Sequence, residues 1–242
     1  MIKVQNLNKE LGGTTVFKNL SLEVERGEFL ALIGKSGDGK SVLLKHLAGL
    51  MQPDSGSVVV EGYDLCCLKR RQRETLRRKF GFVFQNGALF DSLTVYDNVA
   101  FPLRENTKLD EKTIRNKVMD ELQQVELPGA ENKYPAELSG GMIKRVALAR
   151  SLITEPEFMF FDEPCTGLDP LIGEGILNLI HECWKSRGFT GIIVTHQYEP
   201  IFQIVNKVAL LYDNTIYATG SPDEIKTSDN SVVQSFLHSK FK

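Results

Sequence analysis

Residues Gly34-Lys35-Ser36-Gly37-Asp38-Gly39-Lys40-Ser41 fit the pattern G-x-x-x-x-G-K-[ST]. The apolar run Phe29–Ile33 enters this segment, and Val42-Leu43-Leu44-Lys45-His46-Leu47 leaves it with helical character. A strand, a glycine-rich loop and a helix in that order form a phosphate cradle. Glycines let the backbone curl so that successive N–H groups, together with the helix N-terminus, face phosphate oxygens. Lys40 is placed to pair with β- and γ-phosphates, and the Ser41 hydroxyl to ligate Mg²⁺. Asp38 puts an acid where a polyanion must sit. Because backbone rather than side chains makes the cradle, its carboxylate is expected to turn to solvent.

Two further segments carry chemistry. Phe158-Met159-Phe160-Phe161-Asp162-Glu163 is an apolar strand ending in two acids, the Walker B form. Asp162 can hold Mg²⁺ through its water shell, and Glu163 is placed to orient and polarise an attacking water. Leu138-Ser139-Gly140-Gly141-Met142 opens a helix running to about residue 153, with Lys144, Arg145 and Arg150 along it. A serine and two glycines at a helix N-terminus make an anion site.

Around these motifs the chain reads as α/β. Strand-like stretches fall at 2–4, 16–24, Phe29–Ile33, 58–61, 158–161, 191–195 and 208–212. Asp213-Asn214 is a hairpin turn leading into 215–218. Residues 109–127 turn helical, with Ile114, Val118, Leu122 and Val125 at three- and four-residue intervals. The expected architecture is a P-loop NTPase (RecA-like) core sheet with an antiparallel β-subdomain and an inserted helical lobe. Residues 1–85 and 154–242 make the core and 86–153 the lobe, within one domain of 242 residues. A formal net charge of −2 gives nucleic acid no support as a partner. No apolar run approaches the roughly 18–20 residues of a membrane helix. Cys66, Cys67, Cys165 and Cys183 form no C-x-x-C pair and read as reduced thiols. The basic run 69–79 reads as a solvated helix face.

The P-loop, Phe84-Gln85, Leu138-Ser139-Gly140-Gly141, the Walker B strand, Gly167-Leu168-Asp169 and Thr195-His196 occur in that order. In order and spacing they resemble the nucleotide-binding subunit of an ABC transporter, over essentially residues 1–237. The resemblance implies binding and hydrolysis of ATP with Mg²⁺. Gln85 would touch the Mg²⁺ site and relay its state to a membrane partner. Ser139, Gly140 and Gly141 would contact the γ-phosphate of ATP held by a second copy, in a head-to-tail dimer. Asp169 would lie at the dimer interface, and His196 would hold the γ-phosphate. This chain has Met142 where the signature commonly ends in glutamine, and Thr166-Gly167 where Ser-Ala is commoner. The position where the family stacks an aromatic residue on adenine falls on Leu11.

A narrower resemblance lies in Phe84-Gln85-Asn86-Gly87-Ala88-Leu89-Phe90 and Asp97-Asn98-Val99-Ala100-Phe101-Pro102-Leu103-Arg104. These look like the ATPase of MCE-type (Mla-like) phospholipid transport systems. That implies an integral membrane permease as partner, with an MCE-domain protein and a STAS-type regulator as further partners, at the cytoplasmic face of the inner membrane. Residues 85–104 would supply the docking face, so that reversing the charge of Arg104 weakens docking. The alternatives are an amino-acid or metal-complex importer, or a non-transport ATPase of the same class.

Overall fold

The computed structural model describes residues 1–196 and 198–238. In chain order the first elements are β1 (Ile2–Leu11), β2 (Thr14–Val24), β3 (Phe29–Ile33), α1 (Lys40–Leu47), β4 (Ser55–Val60), β5 (Tyr63–Asp64) and α2 (Arg70–Arg77). Next come β6 (Phe80–Val83), α3 (Val95–Asn106), α4 (Glu111–Gln124), a 3₁₀ turn at Pro135–Glu137, α5 (Gly140–Leu152), β7 (Phe158–Asp162) and α6 (Pro170–Arg187). The chain continues through β8 (Thr190–Val194), α7 (Tyr198–Ile201), β9 (Lys207–Tyr212), β10 (Thr215–Gly220), α8 (Pro222–Lys226) and α9 (Ser231–His238). Two compact units result: residues 1–77 with 190–242, and residues 78–189.

In the first unit, β1 pairs antiparallel with β2 on one side and β4 on the other, and β5 extends β4. The sequence places β1 at residues 2–4 only, yet the strand runs to Leu11 through polar Gln5, Asn6 and Asn8. Pairing on both edges overrides the weak local signal. Irregular register near Asn6 and Asn8 is stitched by side chains: Asn8 Nδ2 donates to the Asn6 carbonyl and to Ser55 Oγ, and Asn19 N donates to Asn8 Oδ1.

The same unit holds β3 between two parallel neighbours, β8 and β9, with β10 antiparallel to β9. Every residue of β3 is buried, which is why it reads as an unbroken apolar run rather than an alternating one. Gly191 of β8 leaves room for the Phe29 ring, since a Cβ there would stand 2.5 Å from Phe29 Cδ2. At the β9–β10 hairpin, Asp213 and Asn214 both take positive φ, the conformation the Asp-Asn pair predicts.

In the second unit β6 and β7 pair in parallel, and helices α3, α4 and α6 pack on α5. Helix α4 buries Ile114, Val118 and Leu122, the stripe its spacing predicts. Helix α5 is enclosed instead: Gly141, Lys144, Val146, Ala147, Leu148, Ala149, Ser151 and Leu152 are all buried. A helix apolar on most sides belongs inside a unit. Helix α3 starts where Thr94 Oγ1 accepts from Asp97 N at 3.1 Å. Fully buried Asn98 donates to the carbonyls of Phe90, Leu93 and Thr94 and accepts from Phe90 N, tying the preceding loop to the helix. Among the described residues no helix is long and apolar enough to cross a membrane.

Candidate active site

In the first unit the P-loop leaves β3 at Gly34 and closes on α1. Gly37 and Gly39 take φ of 90° and 93°, the left-handed region that glycine enters without strain. At Gly39 a Cβ would also lie 2.5 Å from Val16 Cγ1, so β2 itself enforces glycine at that position. Lys40 is 5% exposed and folds over the loop, donating to the Gly34 carbonyl at 2.9 Å and the Lys35 carbonyl at 2.8 Å. Ser41 follows in the first turn of α1. Asp38 does not turn to solvent. It is half-buried, and its Oδ2 accepts from Lys35 N at 2.8 Å. A short acid three residues on satisfies an otherwise open loop amide, a local bond that chain spacing alone leaves ambiguous.

β8 runs parallel to β3 with Val194 opposite Leu32. Thr195 and exposed His196 therefore leave the sheet at the edge where the P-loop leaves it. Leu11, the last residue of β1, is exposed.

The second unit carries the other candidates. β6 and β7 are parallel with Val83 opposite Phe161, so Gln85 and the Asp162-Glu163 pair emerge at one edge. Asp162 is 7% exposed at the end of β7. Glu163 takes φ of 46°, uncommon for a non-glycine residue, and Thr166 Oγ1 donates to its Oε2 at 2.6 Å. Ser139 caps α5 by accepting from Met142 N at 3.3 Å. Neither glycine beside it can gain a side chain freely: a Cβ on Gly140 would be 3.1 Å from Leu168 Cδ2, and one on Gly141 2.8 Å from Ile172 Cγ2. Asp169 caps α6 through Ile172 N.

The segment after β6 is held by cations of α5. The buried Lys144 ammonium donates to the Gln85 carbonyl. Burial pulls Lys144 below the ordinary lysine range, while the nearby Cys165 and Glu163 act in the opposite direction. Arg150 donates to the Ala88 carbonyl at 2.7 Å and the Gly87 carbonyl at 2.8 Å, with its guanidinium over the Phe90 ring. Sequence places both cations on the helix but not their targets: the Gln85 carbonyl for Lys144 and, for Arg150, a turn built from left-handed Gly87 and Ala88. Thr166 was legible only as a departure from a family pattern.

Arg104, expected on the docking face, is ion-paired within its own unit. Its guanidinium donates to Asp97 and to both oxygens of Glu111 at 2.9 Å, tying α3 to the start of α4. These carboxylates push it above the ordinary arginine range. The large hydrophobic residues exposed along this segment are aromatic: Phe84, Phe90 and Phe101 are about two-fifths exposed, and the rings of Phe90 and Phe101 lie 4.9 Å apart.

A curled P-loop whose lysine crosses its own backbone, together with an acid-tipped parallel strand, defines the class of P-loop ATPases. The ABC transporter family profile matches residues 17–166. The chain is 39% identical over 237 residues to the intermembrane phospholipid transport system ATP-binding protein MlaF of Haemophilus influenzae, covering 98% of this chain and 90% of that one. It is 40% identical over 239 residues to the "Probable ribonucleotide transport ATP-binding protein" of Mycobacterium leprae, covering 99% of this chain and 69% of that one. Among solved structures, a dimeric ATP-binding cassette in a post-hydrolysis state bound to ADP and Pi superposes with a TM-score of 0.83 at 30% identity, covering 92% of this chain and 99% of that one. The chain belongs to the ABC transporter family, as its ATP-binding and ATP-hydrolysing subunit.

Proposed function

We propose that the chain powers a phospholipid-transporting membrane permease, working as a head-to-tail pair on the cytoplasmic face of the membrane. The observation that carries this reading is the presence of two anion sites in one chain. One is the P-loop; the other is the exposed, serine-capped N-terminus of α5, beside exposed Leu171 and Ile172. In the pair, Ser139, Gly140 and Gly141 of one copy would face the γ-phosphate on the P-loop of the other, as the dimeric state of the solved cassette supports. The backbone of Gly34–Gly39 and Lys40 would bind the ATP phosphates, Glu163 would orient the attacking water, and His196 would steady the γ-phosphate. The carboxylate of Asp162, the Ser41 hydroxyl and the Gln85 amide oxygen are hard donors that suit Mg²⁺. When bound, the ion would neutralise charge on the phosphates.

Residues 86–153 form the lobe that would receive the permease, and the exposed Phe90–Phe101 pair is its docking face. The likeness to MlaF supports phospholipid as cargo. The name of the mycobacterial relative supports a second reading, a nucleotide cargo. Affinity purification from detergent-solubilised membranes decides between them. The expected result is one integral membrane protein and an MCE-domain protein, with phospholipid recovered and a STAS-type regulator as an additional subunit. Phe101→Asp should weaken that capture while leaving ATP affinity unchanged. Capture of a soluble binding protein with an amino-acid-type permease, or ATPase stimulation by nucleotides but not phospholipid, would overturn the cargo and leave the motor intact.

A further inference from the structure

Between the end of β7 and the start of α6 the chain makes two successive turns. Glu163-Pro164-Cys165-Thr166 is closed by Thr166 N, which donates to the Glu163 carbonyl at 3.2 Å. Proline at the second position of this turn supplies the backbone angle it needs. Leu168 N then donates to the Cys165 carbonyl at 3.2 Å, with Gly167 at a φ of 83°.

A second bond spans the same two residues. Thr166 Oγ1 donates to Glu163 Oε2 at 2.6 Å, the length of a hydroxyl bonded to an ionised carboxylate. Such charge-assisted bonds are about twice as strong as neutral ones. The backbone of Glu163 is held against two local preferences. Its φ of 46° is uncommon outside glycine, and a residue that precedes proline is drawn toward extended backbone. With the backbone so fixed, the freedom left to Glu163 lies in its side-chain torsions, and the threonine hydroxyl restricts those. Fixing Oε2 also fixes the plane of the carboxylate, and with it the direction in which Oε1 points.

The surroundings brace the turn. Cys165 Sγ donates to the Gly173 carbonyl of α6 at 3.4 Å, and a Cβ on Gly173 would stand 3.5 Å from Cys165 Cβ. Burial pushes the Cys165 thiol up to about 11, so it stays protonated and able to donate. On the α5 side the buried Lys144 is close enough for its charge to act on Glu163. Its ammonium is itself held by the Gln85 carbonyl. The turn that carries Thr166 is thus tied to α6, and the carboxylate it grips lies in the field of a cation whose own position is fixed.

We propose that Thr166 is a positioning residue for ATP hydrolysis, its hydroxyl holding the Glu163 carboxylate in the orientation that polarises the attacking water. The proposal rests on the reading of Glu163 as the group that orients that water. Thr166 acts through the carboxylate, and ordering it before the reaction spares that reorganisation during it. The hydroxyl is the working part: valine has nearly the same shape and lacks the donor.

The test measures ATP hydrolysis by the full chain, with ATP affinity from calorimetry and melting from circular dichroism. Thr166→Val and, as a second variant without the hydroxyl, Thr166→Ala should each lower kcat about tenfold, the scale of a misdirected catalytic group. KM, ATP affinity and melting temperature should stay at the parent values in Thr166→Val. Thr166→Ser keeps the donor and should turn over within about twofold of the parent. Added to Glu163→Gln, Thr166→Val should change single-turnover hydrolysis by less than about twofold, because residues that act as a unit are not additive. The proposal alone is overturned by parent-like kcat in Thr166→Val, by a serine variant as slow as the valine one, or by a multiplied loss in the double variant. Near-normal turnover in Glu163→Gln would instead overturn the reading of Glu163, and the proposal with it.

Discussion

Replacing Arg150 by methionine tests whether α5 sets the conformation of the segment that follows Gln85. The methionine keeps most of the apolar stem and removes two charge-assisted hydrogen bonds, at 2.7 and 2.8 Å, to the carbonyls of Ala88 and Gly87. Such bonds contribute about 1.5–3 kcal/mol each. Two effects offset that gross figure: burial disfavours the Arg150 charge, and the carbonyl of exposed Ala88 can turn to water. A net loss of about 2–3 kcal/mol follows, which for a chain of this size lowers the melting temperature by about 5–10 °C. Arg150→Lys keeps the charge but replaces a planar fork with a single point donor, so about a third of the loss is expected. Thermal melts followed by circular dichroism, alongside phosphate release at saturating ATP, make the measurement. Turnover should fall in both variants and fall further in Arg150→Met, because Gln85 lies directly upstream of the gripped turn. Parent-like melting and turnover in Arg150→Met would refute the reasoning, since the Gly87-Ala88 turn would then hold without its clamp.

Three further outcomes are expected. Lys40→Ala should weaken ATP binding, whereas Glu163→Gln should bind ATP and lose nearly all turnover; calorimetry and phosphate release separate the two effects, and near-normal turnover in Glu163→Gln would remove that residue from its role. Specific activity of the isolated chain should rise with protein concentration, and Ser139→Arg should suppress it with ATP binding retained; a demonstrably monomeric chain with concentration-independent activity would rule out the paired site. Burial raises the Glu121 carboxyl above its ordinary value of 4.5 even though Arg187 sits 2.7 Å away, so its stabilising effect is full below that value and is lost as pH rises through the folded-state value. Glu121→Gln should therefore be neutral or stabilising at pH 7 and flatten that slope, while Arg187→Met, which strands a buried carboxylate, should cost about 3 kcal/mol in urea melts.

What the sequence disclosed was local. The P-loop and the Asp162-Glu163 strand end are legible because each motif occupies consecutive residues whose chemistry needs no distant partner. The buried strands β3, β7 and β8 show as apolar runs for the same reason. Other features depend on residues far apart in the chain. β1 persists through Asn6 and Asn8 because it has partners on both edges, and no window of its own sequence contains those partners. Arg104 reads as an exposed lobe charge until α4 brings Glu111 beside it. Asp38 is close in sequence to its partner, yet its direction depends on the two left-handed glycines that shape the loop. Lys144 and Arg150 are visible as cations on a helix, but only the path of the chain after β6 tells what they hold, the Gln85 carbonyl and the Gly87-Ala88 turn.

The first unit is assembled from both ends of the chain, and that has a consequence for its synthesis. β3, which carries the P-loop, has as its sheet partners within that unit only β8 and β9, and Gly34 packs so tightly that a Cβ there would sit 2.7 Å from the Leu211 carbonyl of β9. Asn214, at the β9–β10 turn, holds the carbonyls of Thr15 and Val16, the same Val16 that presses on Gly39. A nascent chain released at any point before residue 214 would lack the walls of its phosphate cradle, although residues 78–189 form an unbroken stretch able to collapse earlier. Nucleotide can therefore act as a folding ligand only once residue 214 has been made, and products truncated before it would be unable to compete for ATP.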